Sequence, residues 1–371
     1  MNFDVAIVGA GVMGSAVAWF LTREPSFRGS VALIERDTNF RSASSALSAS
    51  GIRQQFSTPV SAAMSQFGWS FISSAQTTLG CDLGLLERGY LLLGNEHCPT
   101  PFVTQLDQRA LARRFPWLQV ADLDSATWCE HAEGWFDGPG LHQTLYRAAQ
   151  MAGVEVIRRN ARGFRTDSGR VISLILDDGE ALTADLYVNA AGAWSAALMP
   201  VGLPLPIEAR KRDVFVFSTP KAPKNLPMIW DPSGLWFRPE GRHFICGCAP
   251  AAANDPAGAA LEPDYQRFDD ELWPALAYRV PAFEQLRLHS AWSGYYEHCT
   301  FDKNGFVGPV DGCDNLLLAC GFSGHGMQHA PAVGRAVAEW ICHGDYRSID
   351  LSPLHHHRIA ADQPIVENQV A

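Results

Sequence analysis

The sequence lacks any apolar run approaching the ~20 residues of a membrane-spanning helix, so no helical span is expected. A surplus of positive charge is also missing: 29 Lys and Arg stand against 39 Asp and Glu, a formal net charge of −10. Nucleic acid is therefore not expected as the main partner. No C-x-x-C pair occurs among the nine cysteines Cys81, Cys98, Cys129, Cys246, Cys248, Cys299, Cys313, Cys320 and Cys342. That pattern predicts reduced, mostly buried thiols. A basic leader with a cleavage site and an Arg-rich presequence are both absent, and a cytoplasmic protein is the simplest expectation. No internal repeat or low-complexity tract is evident. What remains is an ordinary globular balance, 47% hydrophobic against 18% charged, in 371 residues. That length suits about two domains and needs no disulfides to hold a core. His355, His356 and His357 precede Arg358 within a continuing segment. They are expected as a surface cluster, and no metal site is predicted.

The N-terminal segment is the most informative. Val5–Val8 reads as a buried strand and runs straight into Gly9-Ala10-Gly11-Val12-Met13-Gly14. Ser15–Arg23 follows as a helix, and Val31–Ile34 as a second strand ending at Glu35. This is the full context that a dinucleotide-binding G-x-G-x-x-G motif requires. Gly9 permits the tight turn, Gly11 lets backbone approach a pyrophosphate, and Gly14 allows close helix–strand packing. The helix N-terminus offers free N–H groups and a positive dipole end to phosphate. A carboxylate at Glu35 suits ribose hydroxyls and disfavours a 2′-phosphate.

Three further segments combine strands with small residues. Arg41–Phe56 is rich in Ser and Ala up to Gly51 and then carries Arg53, a composition that can lie flat against a planar cofactor. Leu186–Asn189 is a strand leading into Ala190-Ala191-Gly192-Ala193-Trp194. Asn315–Cys320 is a strand entering Gly321-Phe322-Ser323-Gly324-His325-Gly326-Met327-Gln328. A helix is predicted over Ala330–Ile341, with Pro331 in its first turn.

Together these segments resemble the D-amino acid oxidase and monomeric sarcosine oxidase superfamily of FAD-dependent amine oxidoreductases, over nearly the whole chain. Gly51–Phe56, Ser290–Tyr296 and Gly321–Gly326 look nearest to its FAD-dependent oxidoreductase domain-containing and sarcosine or dimethylglycine dehydrogenase-like members. The resemblance implies an α/β protein: a Rossmann-type FAD-binding domain with a discontinuous, antiparallel-sheet (α+β) substrate domain. The FAD domain would take residues 1–83, 140–202 and 304–371, and the substrate domain 84–139 and 203–303. Gly9, Gly11, Val12, Met13, Gly14, Glu35 and Arg36 would hold the ADP half of FAD, with Ala161, Ala190, Gly192 and Trp194 on the adenine side. Ser44 and Ser45 would reach the pyrophosphate and ribityl chain. Ser48, Ala49, Ser50 and Gly51 would run beside the flavin. Gly321, Ser323, Gly324, His325, Gly326, Met327 and Gln328 would face its pyrimidine ring, where a helix N-terminus stabilises the charge of the reduced form.

Departures from the family pattern carry their own expectations. Ser48 stands where some members attach FAD through His, Gly294 lies near the Cys that others use, and Cys299 is too far on. Non-covalent FAD is therefore predicted. The strand His243–Cys248 has no Lys of the kind that favours reaction with oxygen, which leans towards a dehydrogenase. The acceptor would then be a quinone or flavoprotein rather than oxygen. Arg53 is placed to grip a substrate carboxylate or else to form a structural ion pair. Arg212 is a second candidate, against a solvated face on a strand. One of Tyr295 and Tyr296 should face the cavity and the other the core. Trp292, Trp230 and Met228 either line a pocket or pack in the core. His325 either contacts substrate or flavin or orients its turn. The implied reaction oxidises the C–N bond of an amino acid or N-substituted amino acid, whether D-amino acid, sarcosine-like, opine or imino acid. Hydride would pass to flavin N5 and the imine would hydrolyse. The rival reading is a flavoprotein acting mainly as an interaction or assembly factor.

Overall fold

Val5, Ala6, Ile7 and Val8 are all buried, with no alternation between faces. Such a run belongs to a parallel sheet covered on both sides. In the computed structural model, which describes residues 2–94 and 102–367, that is where it lies. Strand Asn2–Val8 pairs in parallel with Val31–Ile34 on one side and Ala181–Asn189 on the other. Glu155–Ile157 and Cys313–Cys320 extend the sheet outward in the same direction. Antiparallel strands Ala161–Asp167, Arg170–Leu176 and Phe306–Val310 complete its eight. Helices Val12–Leu21, Pro59–Ser73, Gly138–Met151 and Gly326–His343 contribute to the apolar cluster on one face. A second cluster, built around Phe164, Tyr187 and Phe306, covers the other.

A second eight-stranded sheet runs in the order Arg287–Cys299, Ile207–Ser218, His243–Gly247, Trp236–Glu240, Met228–Trp230, Tyr90–Leu93, Ser125–Cys129, Thr104–Asp107. Its pairs are antiparallel except one: Met228–Trp230 runs parallel to Tyr90–Leu93. These two strands are distant in sequence, so no hairpin dictates their direction. Along Ile207–Ser218 side chains alternate. Phe215 and Phe217 join the core beneath the helical segment 265–279, whereas Val214 joins a smaller cluster on the opposite face, with Tyr90, Met228 and Trp236.

Two local expectations are corrected. The last long helix begins at Gly326, not Ala330, so Pro331 lies inside it rather than in its first turn. The proline removes the N–H that would meet the Met327 carbonyl one turn earlier. The histidine triple is not a surface cluster as a whole. His356 is buried, with Nε2 3.0 Å from the Pro204 carbonyl oxygen, and only His357 is exposed. Their turn is drawn inward by Arg358, whose guanidinium is buried against Asp302 and stacks on Phe306. The eight described cysteines form no disulfide, and five are buried. Cys98 lies outside the described residues. No helix among the described residues is long and apolar enough to cross a membrane.

Candidate active site

A cavity of about 500 Å³ lies where the carboxyl ends of the parallel strands meet the second sheet. The parallel-strand ends are where ligands bind in open α/β folds. Its first half is built by the N-terminal motif. Gly9, Gly11, Val12 and Met13 line it at the start of helix Val12–Leu21. Gly11 is the N-cap, and the first turn carries no acidic residue that would repel an anion. Ser45 Oγ accepts the Val12 N–H at 2.9 Å and so joins the small-residue segment to this helix end. Glu35 accepts the N–H groups of Ala10 at 3.0 Å and Asp37 at 2.9 Å, which fix its carboxylate at the wall. Arg36 stacks on Trp194, 3.8 Å from the ring centroid, beside Ala161, Ala190 and Gly192. Gly14 does not reach the cavity. Any Cβ there would lie 1.9 Å from the Gly9 carbonyl oxygen, so its part is packing.

The second half lies between two small-residue segments. Ser44, Ser48, Ala49, Ser50 and Gly51 form one side. Ser44 Oγ donates to the Tyr295 carbonyl at 2.6 Å, and Arg238 donates to the Ala49 carbonyl at 2.7 Å. Ser323, Gly324, His325, Gly326, Met327 and Gln328 form the other, at the N-terminus of the 18-residue helix Gly326–His343. Gln328 Oε1 accepts the Arg53 N–H at 2.8 Å and ties the two sides together. Gly321 is not in the wall. Its N–H donates to Glu297 at 2.9 Å and orients the turn from behind. Backbone at Gly9–Gly11, an acid at the second strand end and a helix N-terminus over the far half fit FAD as the occupant.

Arg53, His325, Tyr296 and Arg212 all stand in the wall. Arg53 is 7% exposed; its Nη1 donates to the Gln55 carbonyl at 2.6 Å and its guanidinium lies 4.2 Å from the Phe56 ring centroid. Behind it, buried Glu133 accepts the N–H groups of Gln54 and Gln55 at 2.6 and 3.0 Å. Burial pushes the Glu133 carboxyl up to about 7. Arg212 is not on a solvated face: its Nη1 and Nη2 donate to the two carboxylate oxygens of Asp255 at 2.9 and 3.0 Å. Both Tyr295 and Tyr296 line the cavity. They meet it at different points of the wall. Tyr295 meets Trp194 edge-on, whereas the Tyr296 ring lies against Gly324. Met228 and Trp230 line the cavity; Trp292 does not, and its indole N–H holds the Leu47 carbonyl at 2.9 Å. Cys299 is buried away from the wall, with its thiol 3.4 Å from Asp302.

His325 is 4% exposed, and neither ring nitrogen makes a well-formed hydrogen bond. Burial, aided by the Arg53 charge, pushes its imidazole down to about 3. The ring is therefore neutral at working pH. An unfolded imidazole takes its proton near the ordinary 6.5. Stability carried by the neutral ring is thus present above that value and lost as pH falls from there towards 3. Side-chain nitrogen NMR of the holoprotein is expected to show His325 neutral down to about pH 4; titration near 6.5 would refute this environment.

Among the wall residues that sequence reasoning missed are Tyr90, Trp236 and Glu297. Tyr90 Oη would lie 1.9 Å from a Cβ at Gly51, so the tyrosine fills the space the glycine leaves. Glu297 sits under the Gly321 turn, and burial pushes its carboxyl up to about 7 against the N–H groups it accepts. Its alternation with Tyr295 was the available signal.

Comparison with known proteins agrees with this geometry. The family described as FAD dependent oxidoreductase matches residues 4–340. FAD-dependent oxidoreductase domain-containing protein 1 of Xenopus laevis is 35% identical, over 99% of this chain and 84% of its own. The glycine oxidase of Geobacillus kaustophilus is 25% identical, over 95% of this chain and 96% of its own. Among solved structures, L-proline dehydrogenase from P. horikoshii superposes with a TM-score of 0.84 at 20% identity, covering 98% of this chain and 99% of that one. The likeness runs along nearly the full length, and the chain belongs to the DAO family of FAD-dependent oxidoreductases.

Proposed function

We propose that the chain oxidises the C–N bond of a small amino acid or N-substituted amino acid, binding it by its carboxylate. The observation that carries this reading is Arg53, a guanidinium at the inner wall of the cavity beside neutral His325. Its charge bears on Tyr90, Tyr296, His325 and His329, all of them around this half of the cavity. Relatives and neighbours named for glycine and L-proline support a small amino acid as substrate.

When bound, FAD supplies the two-electron acceptor. Arg53 fixes the carboxylate and thereby the adjacent C–H. Tyr90, Tyr296, Trp236 and Met228 exclude water, and that environment disfavours the ammonium form of the amine, which must lose its proton first. The substrate then gives up hydride from the carbon beside nitrogen, and the imine hydrolyses in water to a carbonyl compound and an amine. Non-covalent FAD is supported by Ser48 in the wall and by Cys299 outside it. The run His243–Cys248 carries no lysine, but only Cys248 of it reaches the cavity, so it bears little on the choice between dehydrogenase and oxidase. What supports a dehydrogenase instead is that the described wall residues include no lysine. The test is turnover of an amine panel with a redox dye. One carbonyl product per dye reduced, faster with dye than with air, is expected. Faster turnover with air would make it an oxidase, and no carbonyl product from any amine would refute the reading.

A further inference from the structure

Arg212 stands in the cavity wall with one edge of its guanidinium occupied. Nη1 and Nη2 donate to Asp255 Oδ1 and Oδ2, and Nη1 donates also to the Lys211 carbonyl at 2.7 Å. Asp255 itself is outside the wall, so it holds the arginine from behind. The Nε–H, on the remaining edge, is buried and has no acceptor. A guanidinium fixed in this way presents a pre-oriented edge suited to a second carboxylate. Trp230 gives an independent indication. This residue is also in the wall, and its indole N–H is buried and without an acceptor. A buried donor left unmade costs stability, so two of them in one wall point to an oxygen-bearing occupant. Both residues belong to the sheet that closes the substrate half of the cavity. The link to Arg53 is Tyr296: the Arg212 guanidinium lies 5.2 Å from its ring centroid, and the charges of both arginines act on its hydroxyl.

We infer that the substrate is a dicarboxylic secondary amine, an N-carboxyalkyl amino acid. One carboxylate binds Arg53, and the carboxylate of the N-substituent takes the open edge of Arg212 and the Trp230 N–H. The nitrogen and the C–H to be broken are held between them. Asp255 keeps the Arg212 charge balanced when that second site is empty. This inference rests on the reading of Arg53 above and narrows it from amino acids in general to those with a second acid on the nitrogen.

The test uses the FAD-loaded protein and two sulfur analogues that cannot undergo amine oxidation. (Methylthio)acetate has one carboxylate and thiodiacetate has two. Binding is followed through the perturbation of the flavin absorbance spectrum. Thiodiacetate is expected to bind roughly ten- to a hundredfold more tightly, as a charge-assisted pair in a dry site would give. Arg212→Lys, which can still pair with Asp255, should abolish that difference by weakening thiodiacetate far more than (methylthio)acetate. Trp230→Phe should reduce it in part, which keeps the test open if the lysine variant folds poorly. Equal affinity of the two analogues in the unmodified protein would overturn the second site while leaving Arg53 intact. So would an equal loss of both in Arg212→Lys, which a purely structural arginine predicts. Failure of both analogues to bind at all would overturn the Arg53 reading and this inference with it.

Discussion

Arg53→Met should lower kcat/KM for a carboxylate-bearing amine by about a hundred- to several thousandfold, the loss expected when one partner of a buried charge pair is truncated. The reason is local. Arg53 is buried in the wall, held by the Gln55 carbonyl and the Phe56 ring, so its guanidinium is fixed before substrate arrives. A fixed charge in a dry site stabilises a carboxylate more than the same charge in water. It also sets which C–H of the substrate is presented, so kcat should fall together with affinity. An amine without a carboxylate serves as the control, and its slower turnover should change little. The flavin spectrum and thermal midpoint separate this from damage to the fold, since Arg53 also anchors a neighbouring carbonyl. A variant that keeps full activity on the amino acid would remove Arg53 from the substrate site.

The second large effect separates two glycines three residues apart. Gly14→Ala is expected to cost about 3 kcal/mol or more of apoprotein stability, because backbone cannot yield as a side chain can. The added Cβ would lie 1.9 Å from the Gly9 carbonyl oxygen. Gly11→Ala meets only the Ser45 hydroxyl, at 3.3 Å, and its methyl stands at the cavity wall. That variant should fold with an almost unchanged midpoint as apoprotein yet bind FAD far more weakly. Denaturant titration of the two apoproteins, beside FAD titration of each, reads both effects. Equal damage by both substitutions would mean that Gly11 is a packing residue too.

These two glycines also show what was legible in the sequence. The N-terminal unit is local: strand, turn, helix and strand end are fixed by neighbouring residues, so Gly9, Gly11 and Glu35 could be placed by spacing. The small-residue segments around Ser44–Gly51 and Gly321–Gln328 were legible through resemblance and composition together. The substrate wall was less so, because long-range pairing decides it. Tyr90 reaches the cavity only because Tyr90–Leu93 pairs with Met228–Trp230. Tyr295 and Tyr296 both reach it, one against Trp194 and the other against Gly324, which alternation along one strand does not anticipate. The partner of Arg212 comes from the loop that carries Asp255, which no periodicity announces. Pro331 misled for a different reason. Proline favours a first turn, but the packing of a long helix between neighbours overrode that preference.

The most direct test of the central claim is anaerobic mixing of the FAD-loaded protein with amino acids and N-substituted amino acids, followed at the flavin absorbance maximum. Bleaching by a carboxylate-bearing amine is the result this site predicts, with one carbonyl product formed per flavin reduced. A flavin that dithionite reduces but no amine bleaches would contradict it.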